Sequence, residues 1–244
     1  MPISLDQFRI EFSELTKGWT WEVQGFLDSN GYVHPIDTDT KVISTVFERI
    51  SAPVIRSIAK RHQYRVELAN QTTYPDFTLT HQQTGHRIGL DIKTTYLRPT
   101  MMLTLGGYAS FLRNNTKNIL HPYDTYDEHW ILGFVYEQVS AHQEYDLASL
   151  PKPDAIACPY DVKMVFLREK QDICGLRAGS GNTKNIGSFK AKSVDEFRDS
   201  TGPFGQFQDA KGACDHYWRN YEQYILSIHN ADTLFNHPDF EAYR

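Results

Sequence analysis

Cysteine is scarce: the 244-residue chain has three, Cys158, Cys174 and Cys214, odd in number and far apart. That excludes a disulfide frame and a clustered zinc set, and suits a reducing, cytoplasmic compartment. Long apolar runs are missing too. No stretch approaches the ~18 residues of a membrane helix, and the first residues lack the basic-then-apolar order of a signal peptide. Gly179-Ser180-Gly181 is glycine-rich but lacks the Lys-Ser/Thr that completes a phosphate loop. His81 and His86 are five apart, outside zinc-ligand spacing, and read as surface histidines. A nucleophilic serine elbow, internal repeats and low-complexity linkers are all absent.

Acid is also missing locally. The net charge is −5, yet residues 92–123 contain no Asp or Glu while carrying Lys93, Arg98, Arg113 and Lys117. Residues 173–194 repeat the pattern with Arg177, Lys184, Lys190 and Lys192. Two such stretches in an acidic chain make a local positive surface that can neutralise phosphates.

What is present reads as one mixed α/β domain around a short mixed sheet. Ser4 and Gln7 open a helix bearing Leu5, Phe8, Phe12 and Leu15. Asn30-Gly31 marks a hairpin turn. One of residues 37–39 caps a helix with Val42, Val46, Phe47 and Ile50 on one face, which Pro53 is expected to kink or restart. Residues 65–68, 77–79, 87–96 and 130–139 read as strands. Residues 162–167 and 171–176 read as a further hairpin. Ser193 and Glu196 cap a short helix, and residues 213–228 form an aromatic-rich helix.

The chemistry centres on Pro75-Asp76, a turn, and then Asp91-Ile92-Lys93. In a strand where Ile88, Leu90 and Ile92 alternate with Gly89, Asp91 and Lys93, Asp91 and Lys93 project from one face. Asp76, opening the neighbouring strand, reaches the same point. Two converging carboxylates suit Mg²⁺, and a nearby ammonium can orient an attacking water. Spacing alone leaves a plainer reading open, a hairpin with Asp and Lys on its polar face. By itself Glu48 reads as an exposed helix glutamate, and Tyr217, Trp218 and Tyr221 as core.

The runs Tyr74-Pro75-Asp76-Phe77-Thr78-Leu79, Asp91-Ile92-Lys93-Thr94-Thr95-Tyr96, Thr104-Leu105-Gly106-Gly107-Tyr108, Arg113-Asn114-Asn115-Thr116-Lys117 and Ala178-Gly179-Ser180-Gly181-Asn182-Thr183 carry more than the nuclease motif. With Asp39-Thr40-Lys41-Val42 and Tyr217-Trp218-Arg219-Asn220-Tyr221, they resemble, in one order over about residues 37–221, the EcoRV family of PD-(D/E)xK type II restriction endonucleases. The resemblance implies a bacterial, cytoplasmic homodimer that cuts double-stranded DNA at the palindrome GATATC, blunt and at its centre, with Mg²⁺ and alongside a cognate DNA methyltransferase. It implies a restriction-endonuclease-like core at about residues 37–222, with a dimerising hairpin part at about 1–36. Asp76 and Asp91 would be metal ligands, Lys93 the catalytic lysine, and Glu48 an auxiliary acid and ligand. Gly179, Ser180, Gly181, Asn182, Thr183 and Lys184 would form the base-reading loop, and Gln71 would belong to a minor-groove loop. Lys41, Thr95, Ser110 and Lys117 would be further DNA contacts. Thr72-Thr73, Ala109 and Lys184 depart from the family pattern, which bears on sequence preference and leaves the catalytic set whole. Two other readings stay open: a structure-directed repair nuclease of the same superfamily, and a catalytically silent DNA-binding protein on that fold.

Overall fold

The computed structural model describes residues 1–70, 72–139, 156–179 and 184–244. Gln71, Ser180, Gly181, Asn182 and Thr183 lie outside the described residues.

The chain opens with helix α1 (Leu5–Leu15), its first turn capped where Ser4 Oγ accepts the Gln7 N–H at 3.2 Å. A two-stranded hairpin follows, β1 (Gly25–Leu27) and β2 (Val33–Pro35), turning at Asn30-Gly31 as expected. Helix α2 (Thr40–Arg61) starts where the Asp39 carboxylate accepts the N–H groups of Lys41 and Val42. It runs unbroken through Pro53, so the expected restart does not occur. The eight buried residues of one α2 face, Ile43 to Ala59, hold both halves against the same sheet face, and that packing outweighs the local loss of a helix bond.

The main sheet has the order β3-β4-β5-β7-β8, with β3 (Tyr64–Leu68), β4 (Phe77–His81), β5 (Arg87–Tyr96), β7 (Glu128–Gln138) and β8 (Tyr160–Glu169). Strands β5 and β7 run parallel, so the chain between them must cross over. That crossover, residues 97–127, supplies β6 (Thr104–Gly107) and a turn of π-helix (Tyr108–Leu112) that form a wall beside β5. Strand β5 is largely buried on both faces rather than half-buried: Pro75, Tyr126 and His129 close over Gly89 on what would otherwise be its polar side.

The hairpin expected over residues 162–176 is not formed. A helical turn, α3 (Lys170–Ile173), redirects the chain after β8, and β9 (Cys174–Ala178) pairs instead with β10 (Asn185–Ser188). Strand β10 also pairs with β6, closing a second sheet of three strands. Helix α4 (Val194–Asp199) starts after Ser193, but the Ser193 side chain makes no capping bond. Glu196 Oε2 accepts the Lys192 N–H instead. The aromatic helix is broken at Asn220 into α5 (Ala210–Arg219) and α6 (Tyr221–Tyr224). Asn220 leaves the helical conformation and its side-chain amide donates to His216 O, the local competition with the backbone that makes Asn a helix-ending residue. Short α7 (Ala231–Phe235) follows. Tyr217, Trp218 and Tyr221 are core, as read from sequence. His81 is not a surface residue. It is 3% exposed, its Nδ1 bonded to Thr84 in the β4–β5 turn and its ring edge-on to Tyr64.

Two apolar cores lie on opposite faces of the main sheet. Ile88, Leu90 and Ile92 of β5, with Trp130, Leu132 and Phe134 of β7, face α1 and α2. The alternate residues Ile131 and Val135 face the crossover, the second sheet and the C-terminal helices. No helix among the described residues is long and apolar enough to cross a membrane.

Candidate active site and nucleic-acid cleft

Period-two alternation sends Gly89, Asp91 and Lys93 to the crossover side of β5. Gly89 is the permissive step: a Cβ there would meet His129 at 3.1 Å and Pro75 at 3.3 Å, so glycine lets the Tyr74-Pro75 segment lie close against the strand without either side chain giving way. Asp76 follows directly. Because β4 pairs no further than Phe77 opposite Leu90, the N–H of Ile92 has no β4 carbonyl to meet, and Asp76 Oδ2 accepts it at 2.7 Å. The carboxylate is thus fixed beside Asp91 by backbone geometry.

Lys93 Nζ lies 2.5 Å from Asp91 Oδ2. Apart from that ion pair, Asp91 Oδ2 is buried without a regular hydrogen bond among the described residues. Burial, then repulsion from Asp91, pushes the Asp76 carboxyl well above the usual carboxylate range. Burial works against the charge of Lys93, but Asp91 and then Asp76 outweigh it and leave its pKa above the ordinary lysine value. Two neighbouring carboxylates, Asp91 buried and Asp76 half-buried, with the Lys93 ammonium on Asp91, form an anion-rich donor set. A hard divalent cation, which seeks carboxylate oxygens and keeps waters, fits that set.

The structure brings these three residues into an open cleft of about 740 Å³, together with Ser110, Lys117 and Lys184. The two acid-free stretches meet here: one supplies Lys93, Ser110 and Lys117, the other Lys184 and Asn185. Lys41 and Thr95 lie in an adjoining cleft of about 500 Å³, with Arg98 stacked over Tyr96 at 5.1 Å. Lys93 borders both clefts. Thr95 is only 5% exposed, whereas Lys41 and Lys117 are exposed. Glu48 is half-buried on α2, and its charge adds to the field that raises Lys93. It does not join Asp76 and Asp91: among the described residues no group of three or more His, Cys, Asp or Glu side chains could hold a metal.

The chain on either side of residues 180–183 is tied down from the C-terminal side. Tyr217 donates its hydroxyl to Leu176 O at 2.9 Å, and the Ala178 N–H donates to the Tyr221 hydroxyl at 3.1 Å. Gly179 and Lys184 stand at the two ends of the loop, and Lys184 takes a positive φ of 49°. Its ammonium is 3.8 Å from Glu222, which also pairs with Arg113. Sequence reasoning missed Thr72, Thr73, Tyr74, Asn118 and Asn185 as cleft-lining residues. Their proximity along the chain to Asp76, Lys117 or, for Asn185, Lys184 was the available signal.

The family model described as Restriction endonuclease EcoRV matches residues 17–244. The type II restriction enzyme EcoRV of Escherichia coli is 43% identical over 212 residues, 83% of each chain. The chain belongs to the EcoRV restriction endonuclease family. It is accordingly a type II restriction endonuclease, a DNA-cleaving hydrolase with the mixed α/β fold of that class. The match reaches past the motif-bearing residues 37–221 into both the hairpin and the C-terminal tail.

Proposed function

We propose that this enzyme is a homodimer that binds double-stranded DNA and cuts GATATC at its centre to leave blunt ends, using Mg²⁺. The observation that carries this reading is the convergence of Asp76, Asp91 and Lys93 in a groove whose walls come from the two acid-free stretches. Asp76 and Asp91 would hold the cation, with Glu48 as an auxiliary acid acting from α2. The metal supplies Lewis-acid stabilisation of the charge that builds on the scissile phosphate. Lys93, held protonated by its carboxylate neighbours, orients the attacking water and stabilises its deprotonated form. Lys41, Thr95, Ser110 and Lys117 hold the phosphate backbone in register. Gln71 and the loop Gly179, Ser180, Gly181, Asn182, Thr183 and Lys184 read the bases.

A palindrome read symmetrically calls for a two-fold dimer with one active site per strand. Residues 1–36 fit the dimerising role, since Phe26 and Leu27 on the hairpin are 53% and 73% exposed. In a bacterial cytoplasm such an enzyme works beside a methyltransferase that protects the host's own sites.

The test is digestion of a plasmid holding one GATATC site, with Mg²⁺, by the parent enzyme and by Asp91→Ala. The parent is expected to give one blunt-ended linear product. Asp91→Ala should fold yet cut about 10³-fold more slowly, the loss of several kcal/mol of charge stabilisation. A smear or cutting elsewhere would overturn the site assignment, and near-parental cutting by Asp91→Ala would overturn the catalytic one.

A further inference from the structure

Lys170 opens the helical turn α3 behind the cleft, and it is 3% exposed. Its Nζ has no hydrogen-bond partner among the described residues. Three aromatic faces surround it instead: Phe111 at 4.9 Å, Tyr74 at 5.0 Å and Tyr123 at 5.5 Å. An ammonium buried this deeply is costly, and the ring quadrupoles, with the field of the nearby Asp215 carboxylate, recover part of that cost. A methionine would fill the same space without that cost, so the charge at this position calls for a role.

The rings that hold the cation are the wall of the active site. Tyr74 and Phe111 stack at 4.2 Å and 13°, and both line the catalytic cleft. Tyr74 precedes Pro75-Asp76 directly. Its N–H donates to Asn118 O at 2.9 Å, its carbonyl accepts from the Leu120 N–H at 3.0 Å, and its hydroxyl meets His129 Nδ1 at 2.9 Å. Phe111 supports the far wall: a Cβ on Gly106, at φ 95°, would lie 2.7 Å from its ring. Asp76, the segment bearing Lys117, and the Gly106-Gly107 turn therefore all rest on two rings whose faces are turned to one cation.

We propose that Lys170 is a positioning residue of the nuclease, its caged ammonium fixing the Tyr74–Phe111 wall and through it the Asp76 carboxylate. Lys170 touches neither DNA nor metal. Its effect falls on the cleavage step more than on DNA binding, because Lys117 is one phosphate contact among several whereas Asp76 is one of two converging carboxylates. This inference rests on the assignment of Asp76 and Asp91 as the catalytic carboxylates.

The experiment compares Lys170→Met, Lys170→Arg and Asp91→Ala in single-turnover cleavage of a GATATC duplex across a Mg²⁺ series. Duplex affinity without Mg²⁺ and melting temperature are measured in parallel. Supporting partners of ligand residues are typically worth about 10–100-fold in activity or metal affinity. Lys170→Met is expected to lose that much in rate, or to need correspondingly more Mg²⁺, while duplex affinity stays within about threefold. Lys170→Arg, which keeps a cation inside the cage, should recover most of the loss. Cleavage by Lys170→Met within twofold of the parent, or a parallel fall in binding and cleavage, overturns the proposal. So does an arginine variant no better than methionine. If Lys170→Met does not fold, Phe111→Leu withdraws one face of the cage and must show the same rate-without-binding loss. Full activity in Asp91→Ala would instead bring down the underlying site reading.

Discussion

The two faces of the main sheet are built from different chemistry. On the α1–α2 face the core is nearly all hydrocarbon and aromatic. Phe47 stacks on Phe134 at 4.4 Å and 7°, and Trp130 packs edge-on to Phe8. Two buried tyrosines there direct their hydroxyls to the main chain: Tyr160 donates to Trp21 O at 3.0 Å, and Tyr64 accepts the Ile3 N–H at 3.2 Å. The opposite face buries Lys170 and His129 and half-buries Asp215 among its rings, and leaves Lys170 Nζ and His129 Nε2 without hydrogen bonds among the described residues. Asp91 and Lys93 project to this second side. Stability and chemistry are thus assigned to opposite faces of one strand: a face that carries ionisable groups near an active site gives up some packing free energy for their placement.

The strongest way to break this comparison is to hollow out the apolar face. Phe134→Ala should destabilise the enzyme by about 3–5 kcal/mol, as expected when a buried ring is truncated to a cavity. Denaturant melts measure that loss. Cleavage per folded molecule below the new transition should remain near the parent's, because Phe134 faces away from Asp91 and Lys93. A rate that falls in step with stability would mean that the two faces do not act separately.

A smaller effect belongs to the ionisable face alone. Burial, then Lys170 and Lys211, hold the His129 pKa well below its usual 6.5. Tyr123 stacks on the ring at 4.3 Å, Tyr126 packs beside it and the Tyr74 hydroxyl meets Nδ1, and among the described residues no carboxylate bonds to the imidazole. Above about pH 6.5 the imidazole is neutral in both folded and unfolded states, and its contribution is fully present. As pH falls below that value the unfolded chain takes up a proton that the folded one refuses. Stability then drops by up to about 1.4 kcal/mol per pH unit until the folded pKa is reached. Asp215, whose pKa burial raises, has the opposite sign: its contribution is lost as pH rises above the ordinary carboxylate value. The expected observation is therefore a difference, with urea midpoints of the parent falling more steeply than those of His129→Gln between pH 6.5 and 5. Equal slopes would remove the imidazole from the account.

The same contrast explains which parts could be read from the sequence. Asp76, Asp91 and Lys93 were legible because a strand's two-residue repeat puts chemistry on one side and Ile88, Leu90 and Ile92 on the other. Strands β6 and β10 were not. They are four residues long and glycine-containing, and they pair with each other across some 80 residues of chain. The false hairpin at residues 162–176 had the same origin: alternation identified two strands but could not say which sheet the second would join. Lys170 left no trace, since a lysine after a strand reads as solvated. Only the three-dimensional meeting of residues 74, 111, 123 and 170 makes it a cage.

The smallest effect tests the rim of the ionisable face. Lys117 is exposed at the mouth of the cleft, on the segment whose Asn118 carbonyl and Leu120 N–H bond to Tyr74. Its backbone neighbours tie it to the active-site wall while its ammonium reaches solvent, the arrangement suited to a phosphate. Truncation there leaves the core untouched, so Lys117→Ala should change stability by no more than about 0.5 kcal/mol. One phosphate contact fewer releases about one counterion fewer, so the slope of log K against log salt should become shallower by about one unit. Cognate and single-mismatch duplexes should weaken together, because a phosphate carries no sequence information. Fluorescence anisotropy over a salt series with both duplexes measures slope and ratio at once. A changed cognate-to-mismatch ratio at constant slope would make Lys117 a reader of bases, and would move part of the specificity from the loop at residues 179–184 to the crossover wall.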